Sequence, residues 1–120
     1  MKTAETGRAG EQAAAGWLRR AGYELLAMNW RAGRYEVDII ARRWDELHFV
    51  EVKTRRAGGL TAPEDAMTPQ KQRAMLQAAR IYTASRRWEG EVFFDLAAVD
   101  VLPDGSMQVR FIPDAMQLHW

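Results

Sequence analysis

Asp38 and Glu51 stand thirteen positions apart, and Lys53 follows Glu51 by two. Hard oxygen donors are what magnesium takes, and it keeps several waters, so two carboxylates and a substrate phosphate complete its shell. A lysine beside them can hold a water or hydroxide and offset charge growing on the phosphate. These residue types therefore meet the needs of phosphodiester hydrolysis assisted by Mg2+ or Mn2+, without a covalent intermediate. A backbone carbonyl near Val52 is a further candidate donor.

The three residues lie in two largely apolar segments, Tyr35-Glu36-Val37-Asp38-Ile39-Ile40 and Phe49-Val50-Glu51-Val52-Lys53-Thr54. Side chains alternate along an extended chain, so Glu36, Asp38 and Ile40 share one face, as do Phe49, Glu51 and Lys53. The polar run Arg42-Arg43-Trp44-Asp45-Glu46 suits a hairpin turn. Pairing the strands about it sets Asp38 opposite Glu51 and Glu36 opposite Lys53. Carboxylates roughly 5 Å apart across strands destabilise a sheet unless a cation or a shared proton occupies the gap.

The elements that must position these groups are legible in outline. A helix is expected from about Thr6 to Ala21, with Ala9, Ala13, Trp17 and Ala21 as its apolar stripe and Gly22 as its stop. Strands are expected over Tyr23 to Trp30, Arg34 to Arg42 and Leu47 to Thr54, as an antiparallel meander. The stretch Arg55 to Pro63, rich in glycine, reads as a loop. Thr68-Pro69 supplies a hydroxyl cap and a first-turn proline for a helix running to about Arg86. Met75, Leu76, Ala79 and Tyr82 or Thr83 form its apolar face. Val92 to Val101 and Met107 to Ile112 read as two more strands, with Asp95 and Asp100 interrupting the first. A helical crossover after the third strand puts the next strand parallel to a neighbour, so a mixed sheet flanked by helices is expected.

The chain of 120 residues fits one domain, 1–120, with no cysteine and hence neither disulfides nor thiolate metal sites. The polar start and the absence of a long apolar run fit a cytoplasmic protein. A net charge of +1 says little about partners; its distribution says more. Between Thr68 and Arg87 lie Lys71, Arg73, Arg80, Arg86 and Arg87 without an acid, and Arg55 and Arg56 follow Lys53 directly. Arg31, Arg34, Arg42 and Arg43 flank the first carboxylate strand. Cations beside a carboxylate cluster suit a polyanion bridged by metal, and a solubilising helix face is the alternative. His48 and His119 have no ligand partner at useful spacing, so zinc is not expected. Trp17 and Trp30 are expected in the core, and Trp44 is the best tryptophan for stacking on a base.

Gly7-Arg8-Ala9-Gly10-Glu11, Asn29-Trp30-Arg31, Glu36-Val37-Asp38, Glu51-Val52-Lys53-Thr54-Arg55 and Lys71 together resemble the YraN-like family of bacterial proteins. The Asp, Glu and Lys resemble the PD-(D/E)xK nuclease signature. The resemblance implies a restriction-endonuclease-like αβββαβ core, akin to archaeal Holliday-junction resolvases. It further implies an endonuclease acting on DNA of branched or otherwise non-standard structure, with Asp38, Glu51 and Lys53 as the core site. Glu11 and Glu36 are implied as accessory carboxylates, Glu11 near the metal, although Glu36 also reads as an ion-pair partner of Lys53. Lys71 reads as a phosphate contact or a solvated helix residue. Tyr35 departs from the family, which commonly has glycine there; the large ring would narrow the site or stack on a base. Many nucleases of this fold pair two sites against two strands, so a homodimer is one expected arrangement. The competing reading is a nucleic-acid-binding module that keeps the fold without the chemistry.

Overall fold

Residues 3–59 and 62–116 are described by the computed structural model. The first helix, α1 (Thr3–Arg20), ends where Gly22 adopts a left-handed φ of 93°. Three strands follow, β1 (Glu24–Ala32), β2 (Tyr35–Arg43) and β3 (Glu46–Arg56), paired antiparallel as expected. A short 3-10 turn (Pro63–Ala66) leads to α2 (Pro69–Arg86), whose cap is Thr68 accepting from the Lys71 amide. Then come β4 (Glu91–Val101) and β5 (Met107–Ile112), the last antiparallel to β4. The α2 crossover lays β4 parallel to β3, completing a five-stranded mixed sheet in the order β1-β2-β3-β4-β5.

The sheet buries both faces. Ala14, Ala15 and Leu18 of α1 pack with Ile39, Ala41, Val50, Ala97 and Val99. On the other side Met75, Ala78, Ala79 and Tyr82 of α2 meet Val37, Ile40, Leu47, Phe49, Phe94 and Leu96. Alternating strand residues such as Phe49 and Val50 thus fall into different layers, as a two-residue period requires.

Several expectations are corrected. The buried face of α1 is Gly10, Ala14, Ala15 and Leu18, while Ala9 is exposed and Trp17 is only partly covered, stacked on Phe111 at 5.0 Å. The consecutive alanines 13–15 allow more than one stripe, and contact with the sheet selects among them. The loop after β3 begins later than expected, because Arg55 and Arg56 continue the ladder with Asp100 and Val101. Part of that loop, Leu60 and Thr61, and the C-terminal stretch Gln117 to Trp120 lie outside the described residues. No helix among the described residues is long and apolar enough to cross a membrane.

Candidate metal and nucleic-acid site

The β2–β3 ladder has the expected register, running from Arg43↔Glu46 to Ile39↔Val50, and stops there. One step further the same register would set Asp38 against Glu51. Instead the Asp38 side chain enters the ladder: its Oδ2 accepts the Val52 amide at 2.8 Å. The Val52 group that faces Asp38 is therefore its N–H.

On the other edge of β2 the chain is also irregular. Asn29, which falls opposite Asp38 between the pairs Met28↔Ile39 and Trp30↔Val37, has a φ of 51°. Val37 and Ile40, three apart, both join the α2 layer, so strict alternation is broken at this level. A left-handed non-glycine residue is uncommon, and asparagine tolerates it better than most. Asn29 Nδ2 donates to Glu11 Oε1 at 3.2 Å, tying α1 to the same point of the sheet.

The result is a recess of about 300 Å³ lined by Glu11, Asp38, Glu51, Lys53, Thr54 and Lys71. Burial pushes the Asp38 carboxyl up to about 8, and the adjacent Glu51 carboxylate and the more distant Glu11 push the same way. The Val52 amide opposes them without winning. Glu51 helps raise the Asp38 pKa, so a proton held on Asp38 answers the repulsion anticipated from the sequence. Lys71 also pairs with Glu51; its side chain is 52% exposed and that of Glu51 12%. Lys53 is exposed on the recess wall and makes no ion pair among the described residues.

The donor chemistry fits a hard divalent cation. Asp38 and Glu51 present carboxyl oxygens to one recess, and a cation there would replace the proton that Asp38 carries. Among the described residues no three His, Asp or Glu side chains form a complete cage. Two carboxylates with room for water and phosphate are what Mg2+ requires.

Other candidates are not brought to the recess. Glu36 lies at the exposed β1–β2 edge and accepts from Arg31 at 3.2 Å. Its expected partner Lys53 is out of reach of the ladder because β3 has left β2 by this point, while Arg31 remains its register partner on β1. Arg31 is thereby occupied as well. Arg55 donates to Asp100 at 3.3 Å, a carboxylate it shares with Arg110 at 3.1 Å. Arg56 is exposed beside a separate hollow with Val101 and Pro103. Trp44 is 72% exposed but sits in the β2–β3 turn, at the opposite end of β2 from Asp38.

Two features escaped the sequence reading. Asn29 appeared only as part of a motif, and nothing local reveals that its amide holds Glu11. His48 is buried against the fully buried Asp95, Nδ1 to Oδ2 at 2.6 Å, and reaches Glu46 Oε1 through Nε2 at 3.0 Å. Burial pulls the His48 pKa down, but the hydrogen bond and charge of Asp95, helped by Glu46, leave it raised overall. Asp95 Oδ1 also accepts the Asp114 amide at 2.8 Å, so the pair anchors the segment after β5. An aspartate interrupting the apolar run of β4 was the available signal.

The order helix, three antiparallel strands, helix, parallel strand, with a carboxylate pair where β2 parts from β3, defines an α/β core of the nuclease-like class. The chain belongs to the uncharacterised protein family UPF0102, which it matches over residues 10–99. It is 47% identical over 114 residues to a UPF0102 protein of Nitratidesulfovibrio vulgaris, covering 94% of this chain and 84% of that protein. A UPF0102 protein of Syntrophus aciditrophicus is 40% identical over 116 residues, covering 96% and 91%. One of Porphyromonas gingivalis is 42% identical over 102 residues, covering 85% and 76%.

Proposed function

We propose that the protein is a divalent-metal-dependent endonuclease that hydrolyses DNA phosphodiester bonds, with branched or otherwise non-standard DNA as its substrate. The observation that carries this reading is the Asp38–Glu51 pair lining one recess walled by two lysines, with the Asp38 carboxyl pushed up to about 8. Mg2+ or Mn2+ held by these two carboxylates would supply positive charge that polarises a phosphoryl oxygen. Asp38 is oriented by the Val52 amide, which leaves its second oxygen for the ligand site. Glu11 adds negative charge from α1 and is held by Asn29. Lys53, solvent-exposed and unpaired among the described residues, orients a water and meets charge developing on the phosphate. Lys71 neutralises Glu51 in the free protein and is placed to pass to the substrate phosphate.

The test is cleavage of plasmid, linear, single-stranded and branched DNAs with Mg2+ or Mn2+. Asp38→Asn and Glu51→Gln should each reduce cleavage by about a hundredfold or more, since each deletes a ligating charge. Activity that survives both substitutions would remove this mechanism.

A second reading has an observation of its own. The Lys71–Glu51 ion pair and the proton on Asp38 already balance the site's charge. On that reading the protein is a DNA-binding module without chemistry. It would show salt-sensitive binding indifferent to metal, and no turnover on any DNA in the panel.

A further inference from the structure

Tyr35 opens β2 three residues before Asp38, and Gln70 directly precedes Lys71 on the first turn of α2. Between these two elements lies a second cleft, of about 560 Å³, lined by Arg34, Tyr35, Gln70, Arg73, Ala74 and Gln77. Its volume is in the range of small-ligand sites. Positions 70, 73, 74 and 77 share one helix face, so α2 presents two amides and a guanidinium to the cleft together. Among the described residues no carboxylate lines it.

We propose that this cleft holds one unpaired nucleotide of the DNA strand that occupies the Asp38–Glu51 recess; the inference rests on the DNA reading above and adds to it a preference for single-stranded segments. Tyr35 is half-buried and packs on the α2 layer, which fixes its ring. The Arg34 guanidinium lies over that ring, 5.3 Å from its centroid, and its Nη2 donates to Tyr35 Oη at 3.2 Å. An aromatic ring and a guanidinium plane are the two surfaces on which splayed bases stack. Gln70 and Gln77 offer amide donors and acceptors to a base edge. Arg73 is exposed and has no ion-pair partner among the described residues, which leaves it for a phosphate. A paired base has its Watson–Crick edge taken and its faces stacked on neighbours, so it can use neither the amides nor the ring. An unpaired base can use both.

The experiment is fluorescence anisotropy of the full chain in EDTA, with a labelled oligothymidine and a mixed-sequence duplex of equal length. Tyr35→Leu should weaken single-strand binding about tenfold, and Tyr35→Phe, which keeps the ring, should retain it. Arg73→Ala, at an exposed position that folding does not need, should weaken it as well and reduce the salt slope by about 0.7. Duplex affinity should change by less than about twofold in each, and Arg19→Ala on the other layer should change neither. The proposal is overturned if the wild type does not bind the single strand, if Tyr35→Leu and Arg73→Ala both bind it like wild type, or if both lose duplex binding equally. Because binding is read without metal, a protein that cuts nothing can still satisfy this proposal. One that cuts with Asp38 but ignores Tyr35 and Arg73 refutes it alone.

Discussion

Asp38 receives the Val52 amide and yet keeps its proton to about pH 8, because burial and the neighbouring carboxylate outweigh one hydrogen bond. A folded-state pKa above the ordinary 3.8 means the native state binds this proton more tightly than the unfolded chain. Its contribution to stability is therefore complete below about pH 4 and is lost as pH rises through about 8. In EDTA, the wild-type stability should fall across that window by on the order of a few kcal/mol, and the melting temperature with it. Asp38→Asn, which cannot ionise, should flatten the fall. Thermal melts at a series of pH values check it; an Asp38→Asn profile parallel to wild type would contradict the assigned environment.

At the scale of elements, the site depends on how closely α1 approaches β3. Gly10 is buried, and a Cβ placed there would lie 1.8 Å from Thr54 Oγ1 and 2.9 Å from Thr54 Cβ. Alanine would ordinarily favour a helix interior by about 1 kcal/mol over glycine. Here the clash reverses the sign, because either Thr54 must rotate or the helix must withdraw. Gly10→Ala should destabilise by about 1–3 kcal/mol in denaturant melts. It should also weaken metal binding, since Glu11 and Thr54 both line the recess and move with the contact. An unchanged denaturation midpoint would show that the approach is looser than the geometry indicates.

For the whole molecule, the proposed metal-dependent function makes proton and cation competitors for the same gap between β2 and β3. Metal binding must displace the Asp38 proton and compete with Lys71 for Glu51, so it should be stronger at alkaline pH. Added Mn2+ should raise the melting temperature by several degrees at pH 8 and much less at pH 5. Neither Asp38→Asn nor Glu51→Gln should show the shift. Equal stabilisation of wild type and both variants would place the cation elsewhere on the protein.

The sequence by itself determined the strands, the β2–β3 register and the start of α2, because these follow from side-chain alternation, a polar turn and the Thr68-Pro69 cap. Asp38, Glu51 and Lys53 could be named for the same reason, since a hairpin is local. Tertiary structure alone decided that Lys71 takes Glu51 and that Asn29 holds Glu11. It also selected the buried face of α1 and matched His48 with Asp95, 47 residues away, by laying β4 beside β3. Each of these outcomes depends on which layer a helix covers and where a strand leaves its neighbour. Those distances are set when the crossover closes the sheet, and no local period encodes them.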